Sequence, residues 1–227
     1  MSGIRKVPLV NGHYYHIISR SIAQYKVFDE EDYSRFLQIV NLYRYPDLVY
    51  KYSNFIKLSL QNQKLIIANL GESGLMFVTI IAYCVMPTHI HLLLKQNLDH
   101  GISNYLGKIL NSYTRYFNIK HHRKGPLWEG RFKNVLVDKD EQILHLTRYI
   151  HLNPASAGLV DKPDKWSFSS YGEYINNHPG SKNDHLCDFD GLINLDPTKY
   201  KKFVQSRIAY QKELSKIKHL LIENYNG

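Results

Sequence analysis

"VMPTHIHLLLK", residues 85–95, is an apolar run interrupted by two histidines one residue apart. Side chains along a strand alternate between faces, so His89, His91, Leu93 and Lys95 project one way and Ile90, Leu92 and Leu94 the other. One face can enter a core while two imidazoles stand side by side on the opposite face. That arrangement suits a metal; it equally suits two hydrogen-bonded histidines. Residues 77–85 are nearly continuous apolar and β-branched, the pattern of a strand buried on both faces. Met86 and Pro87 separate the two stretches, with proline where a strand tolerates it best, at its start. Strands linked this closely form an antiparallel hairpin.

Outward from the hairpin, "HYYHIISR" (13–20) reads as a first strand. Residues 29–43 carry Phe36, Leu37, Val40 and Tyr43 at helical spacing. Within 44–74, "NFIKLSLQNQKLIIANL" predicts a further helix, ended by Gly71 and Gly74. Ile102, Leu106, Ile109, Leu110, Tyr113 and Phe117 mark an amphipathic helix after the hairpin. A strand over 131–137 and a helix over 138–152 follow, the latter with Asp138 as N-cap and Glu141 three residues on. The order β-α-(α)-β-β-α-β-α predicts an α+β domain with helices on one face of a mixed or antiparallel sheet. Past Pro163 the chain is looser, and Asp196-Pro197 opens a last basic helix in N-cap and N1 style.

The 227 residues suffice for one good-sized domain, and 44% hydrophobic residues suffice for its core. No apolar stretch reaches the roughly 18 residues of a membrane span, and the first ten residues lack a signal-peptide core. Cys84 and Cys187 match no zinc or redox spacing, so a cytosolic, disulfide-free protein is expected. Twenty-nine Lys and Arg against 20 Asp and Glu leave a formal charge of +9. That excess favours a polyanionic partner, nucleic acid ahead of membrane. The 18 tyrosines offer flat faces on which unpaired bases could stack, although most must be packing residues.

On the 138–152 helix, Ile143, Leu146, Thr147 and Ile150 form the stripe that should bury. Gln142, His145, Tyr149 and Asn153 cluster about 120° from its centre at 100° per residue. Pro154 disfavours helical geometry at Asn153 and is expected to end the helix there. Taken on this helix alone, Tyr149 is a boundary tyrosine. Between the histidines and this helix lies "IKHHRKGPLWEGRFKN" (119–134), in which Trp128 and Phe132 interleave with Lys120, Arg123, Lys124, Arg131 and Lys133. Basic groups neutralise phosphates and aromatics stack on bases, so this segment reads as a nucleic-acid contact loop. His121 and His122 are adjacent and splay apart, so they read as exposed or phosphate-contacting.

"AYCVMPTHIHLLLK", "NSYTRYFN", "GPLWEGRFKN", "RYIHLNPASAGLV" and "WSFSSY" together resemble the successive motifs of the REP-associated tyrosine transposases, within the one-tyrosine HUH (IS200-like) superfamily. The resemblance covers roughly residues 15–171. It implies a ferredoxin-like or RRM-like antiparallel sheet with helices on one face, the tyrosine helix on the other side, and a helical C-terminal extension. A catalytic domain over 1–175 with a helical excursion at 44–74, and an extension with a basic helix over 176–227, are the expected divisions. By position, His89 and His91 would bind a divalent metal with Asn153 as third ligand, and Tyr149 would be the nucleophile. Arg20, Arg123, Lys124, Trp128, Arg131, Lys133 and Arg148 are the expected DNA contacts. Two departures stand out. The family usually has Asn where Thr88 stands, and the 44–74 segment is longer than usual.

The implied chemistry is coherent. A phenol of pKa near 10 is only about 0.1% ionised at pH 7, so tyrosine needs help to attack a phosphodiester. A metal on two imidazoles and an amide oxygen can polarise phosphorus and stabilise the leaving 3′ oxygen. Imidazole ligands alone favour zinc-like metals; the resemblance implies Mg2+ or Mn2+ instead. The expected function is a metal-dependent single-strand DNA endonuclease and strand transferase with a 5′-phosphotyrosine intermediate, acting on single-stranded or hairpin DNA. A monomer in the cytoplasm, associated with the nucleoid and not with membrane, is expected. The alternative from another class is a non-catalytic or domesticated single-stranded nucleic-acid binder on the same fold, whose mark would be a lost site residue. A zinc hydrolase finds no third ligand in HExxH or deaminase style.

Overall fold

The structure, a computed structural model, describes residues 8–175 and 185–213. Along the chain run β1 (Tyr14–Arg20), α1 (Glu30–Leu42), α2 (Tyr52–Phe55), α3 (Leu60–Glu72), β2 (Val78–Met86), β3 (His89–Gln96), α4 (Gly101–Lys120), β4 (Lys133–Val137), α5 (Asp140–Ser156), α6 (Tyr171–Tyr174) and α7 (Pro197–Gln205). The strands form one sheet in the order β2-β3-β1-β4. This is the antiparallel α+β arrangement expected, with the interleaved strand order of a ferredoxin-like domain. No helix among the described residues is long and apolar enough to cross a membrane.

The register of the central strands follows from their end bonds. Ser21 N–H donates to Thr88 O at 2.8 Å and Gln96 N–H to His13 O at 3.0 Å, so β1 and β3 run antiparallel. With Ser21 opposite Thr88 and His13 opposite Gln96, Arg20 is the cross-strand neighbour of His89 and Tyr14 that of Lys95. The Lys95 ammonium accordingly lies 5.8 Å from the centre of the Tyr14 ring. On the other side, β1 pairs with β4 antiparallel, Ile18 opposite Lys133 and His16 opposite Val135.

The described residues form two compact units, one of residues 8–79, 87–90 and 94–137, the other of 80–86, 91–93, 138–175 and 185–213. In the first, Phe28, Phe36, Tyr113 and Trp128 build an aromatic cluster with centroid separations from 4.9 to 6.3 Å. Tyr105 of α4 donates to Val40 O of α1 at 2.9 Å, and Lys120 bridges Asp29 and Asp32. Asp29 caps α1 in a reciprocal capping box with Asp32. Gly101 opens α4 so close to the backbone that a Cβ there would lie 2.3 Å from Phe77 O.

In the second unit, residues 166–170 seal the flank of β2. Val85 N–H donates to Phe168 O at 2.9 Å, Ser170 N–H to Tyr83 O at 3.0 Å, and the Trp166 indole to Val85 O at 3.1 Å. The "WSFSSY" motif thus satisfies the backbone groups that an edge strand would otherwise leave open.

Three expected boundaries change. The single helix expected within 44–74 is two, because Ser59 accepts from Asn62 N–H and starts α3 anew. Gly71 is helical, and Gly74, at φ 65°, is the left-handed residue that follows the helix. Asp138 does not cap α5. β4 persists to Val137 and Lys139 is still extended, so the helix starts at Asp140 without a side-chain cap. Nor does Pro154 end α5, which continues to Ser156. Proline has no N–H to give Ile150 O, and the Asn153 side chain compensates: its Nδ2 donates to Tyr149 O at 2.9 Å and reaches Ile150 O at 3.5 Å. The start of the last helix is as expected, with Asp196 accepting from Lys199 N–H ahead of Pro197. The expected extension over 176–227 lies partly outside the described residues.

Candidate active site

His91 is 2% exposed, and the ring of Tyr149 meets it edge-on, with centroids 5.8 Å apart and planes at 89°. The packing of α5 sets this contact. Ile143, Thr147 and Ile150 are buried, which leaves Tyr149 half-buried at the margin of the stripe. Asn153 follows one turn on, and its amide nitrogen is committed to the backbone of its own helix. The carbonyl oxygen Oδ1 is therefore the atom left to face a ligand.

Residues on either side of Tyr149 are fixed by a buried polar chain. The His151 ring is fully buried between Tyr200 OH and Ser170 Oγ, at 2.8 Å from each. Tyr200 donates to Thr147 Oγ1 at 2.9 Å, and Thr147 to Leu144 O at 2.9 Å. With the Tyr200 hydroxyl proton given to Thr147, Tyr200 accepts from His151 Nδ1–H, while Ser170 Oγ lies between His151 Nε2 and Tyr83 O, 3.3 Å from the latter. Burial holds the His151 pKa down to about 3, so the ring is neutral. The sequence reading missed this residue; its signal was a histidine on the apolar side of "YIHLNP".

His89 sits at the start of β3, its Nδ1 3.0 Å from Thr88 Oγ1. Thr88 thus takes up one ring nitrogen at the position where the sequence departs from the family pattern. Burial first, and the charge of Arg20 second, lower the His89 pKa to about 4. The imidazole is uncharged at neutral pH, the form a metal ligand needs. Among the described residues no group of three or more His, Cys, Asp and Glu could hold a metal. The expected donor set differs in kind: two imidazoles and a carboxamide.

The expected DNA contacts divide sharply. Arg20 and Lys133 are exposed, and by register they share the sheet face that carries His89. Val135, on the same face, is 59% exposed, so this part of the sheet is open. Lys124 and Arg131 are exposed in the segment before β4. Trp128 is a correction. It is 7% exposed, packs against Phe28 and Tyr113, and donates its indole N–H to Thr114 Oγ1 at 3.0 Å, so it is a core side chain and offers no face to a base. Arg123 is half-buried, and its guanidinium closes its own loop on Asn118 Oδ1 at 3.1 Å and Pro126 O at 3.0 Å. Arg148 lies over the Phe203 ring at 4.1 Å and 2.7 Å from His145 Nδ1, against α7. His121 packs on Phe117 with centroids 4.2 Å apart.

Residues 50–153, a span that holds His89, His91, Tyr149 and Asn153, match the family model described as Transposase IS200 like. The resemblance to REP-associated tyrosine transposases is borne out by two further likenesses. A curated Haemophilus influenzae relative named as a REP-associated tyrosine transposase is 29% identical over 103 residues, covering 40% of this chain. That match spans 57% of the relative's length, a little over half. A solved REP-associated tyrosine transposase bound to a REP hairpin superposes with a TM-score of 0.55 at 16% identity, over 86% of this chain and 99% of that one, which shows the fold.

Proposed function

We propose that the chain is a metal-dependent single-strand DNA endonuclease and strand transferase that works through Tyr149 on a strand beside a hairpin. The observation that supports this reading best is the edge-on contact of Tyr149 with His91, which sets the one proposed nucleophile against a proposed ligand. The +9 charge and the open basic face around Arg20 and Lys133 support a polyanionic partner. The hairpin is carried over from the solved relative, which is bound to one.

In the proposed step the Tyr149 oxygen attacks phosphorus and passes its phenolic proton to solvent, while the bond to the 3′ oxygen breaks and that oxygen takes a proton from solvent. A 5′-phosphotyrosine and a free 3′-OH result, and the 3′-OH of another strand can reverse the step without ATP. His89 through Nε2, His91, and Asn153 through Oδ1 would hold Mg2+ or Mn2+. When bound, such an ion polarises the phosphodiester and stabilises the leaving oxygen. The fit rests on the neutrality of His89 and on the second atoms of His89 and Asn153 already being engaged by Thr88 and by the helix backbone.

The test is incubation with labelled hairpin-bearing single strands from the chain's own genomic neighbourhood. A covalent protein–DNA adduct is expected with Mn2+ or Mg2+, and its loss on addition of a chelator. Binding without any adduct would leave the non-catalytic binder as the reading. Affinity for single strands should fall steeply with salt. Changing both Arg20 and Lys133 to Ala should flatten the log–log salt slope by about 1.4, or roughly 0.7 per lost phosphate contact. An unchanged slope in that variant would remove the open sheet face from the DNA path.

A further inference from the structure

The loop between β1 and α1 has no role in the mechanism above, yet it is built with unusual care. Ala23, at φ 51° and ψ 25°, and Gln24, at φ 53°, are consecutive non-glycine residues in the left-handed region. Single residues visit that region, and two in succession are held there by their surroundings. Both ends of the loop are clamped to the turn that leads into His89. Ser21 N–H donates to Thr88 O at 2.8 Å and Val27 N–H to Pro87 O at 2.9 Å. Inside the loop Ser21 Oγ donates to Tyr25 O at 2.6 Å, and Tyr25 N–H to Ile22 O at 3.1 Å. Ser21 and Val27 are fully buried anchors, whereas Tyr25 between them is 60% exposed. Its ring has no aromatic or cation–π partner among the described residues. Exposed Lys26 follows it, and exposed Arg20, cross-strand from His89, precedes the loop.

We propose that residues 21–27 form a preset platform on which Tyr25 stacks an unpaired base of the strand whose phosphates Arg20 and Lys26 contact. The proposal rests on the reading of the chain as a single-strand DNA-binding protein. The chemistry is that of sequence-tolerant single-strand binding, in which flat rings alternate with cations along the backbone path. A mobile loop would lose conformational freedom on binding. This one is already fixed, and the two bonds to Pro87 and Thr88 give Tyr25 a set position relative to His89.

The test uses single strands carrying 2-aminopurine, a base whose fluorescence is quenched by stacking, at successive positions. The unmodified chain should quench the probe at one position or two neighbouring ones. Tyr25→Ala should abolish that quenching and raise Kd about tenfold, with the salt slope unchanged because no ionic contact is lost. Tyr25→Phe and Tyr25→Trp should retain both affinity and quenching. Equal loss in Tyr25→Phe would mean that the hydroxyl and not the ring is used, and would overturn the platform. So would a Tyr25→Ala chain that binds and quenches as before, while the endonuclease reading stood. No binding of any single strand by the unmodified chain would instead fell that reading, and the platform with it.

Discussion

Replacing Tyr149 by phenylalanine is expected to abolish strand cleavage and the covalent adduct together. The change removes one oxygen and keeps the ring whose edge rests on His91, so the packing of α5 is retained. Removal of the nucleophile should lower the rate by on the order of 10⁶, the scale seen when a hydrolase loses its attacking residue. Single-strand affinity, measured in parallel, separates loss of chemistry from loss of binding. Persistence of the adduct would transfer the role to another tyrosine. The next two candidates, both on α4, have their hydroxyls engaged elsewhere. Tyr113 donates to Val27 O and is held in the aromatic core, and Tyr116 donates to Asp32 Oδ1 at 2.9 Å.

Acid should destabilise the fold well before the carboxylates titrate. His16 and His151 are buried and neutral, with pKa values lowered by burial to about 4 and about 3 from an ordinary 6.5. As pH falls below about 6.5 the unfolded chain takes up a proton on each of these two rings that the folded chain refuses there. The stability these groups contribute is thus intact above that pH and is lost progressively on the way down to their folded pKa values. At pH 5 each costs roughly 2 kcal/mol, or about 4 together, against a total stability of about 5–15 kcal/mol. The urea midpoint should fall steeply between pH 7 and pH 5 in the presence of chelator. His151→Gln, less stable at neutral pH, should show a shallower fall. A midpoint flat over that range would mean that the two rings are protonated within the fold.

The sequence was most readable where periodicity and burial agree. The alternating histidine strand, the unbroken apolar strand before it and the stripe on α4 follow from residue spacing alone, whereas the ferredoxin-like sheet was expected only from the family resemblance. Tyr149 was placed at the margin of its helix by a 100° count. What stayed hidden depends on distant partners. Trp128 stands among basic residues in sequence, and only the docking of its segment against Phe28 and Tyr113 buries it. The start of α5 was misread because Asp138 looks like a cap locally, while pairing with β1 keeps Val137 in a strand. The importance of His151 was invisible because Tyr200 and Ser170, its two partners, lie 49 and 19 residues away.

The backbone hydrogen bond that Pro154 leaves unmade in α5 bears on what position 153 will tolerate. A carboxamide has a donor on one edge and an acceptor on the other. Asn153 spends the donor on the carbonyls of Tyr149 and Ile150, which leaves the acceptor outward. Aspartate would turn an oxygen against those same carbonyls, alanine would leave the Ile150 carbonyl stranded, and glutamine's longer arm would carry its donor past them. The alphabet at this position is close to a single letter, because helix continuity and the outward oxygen are drawn from one side chain and cannot drift apart. The proline that looks like a helix terminator therefore acts as a lock on its neighbour's identity.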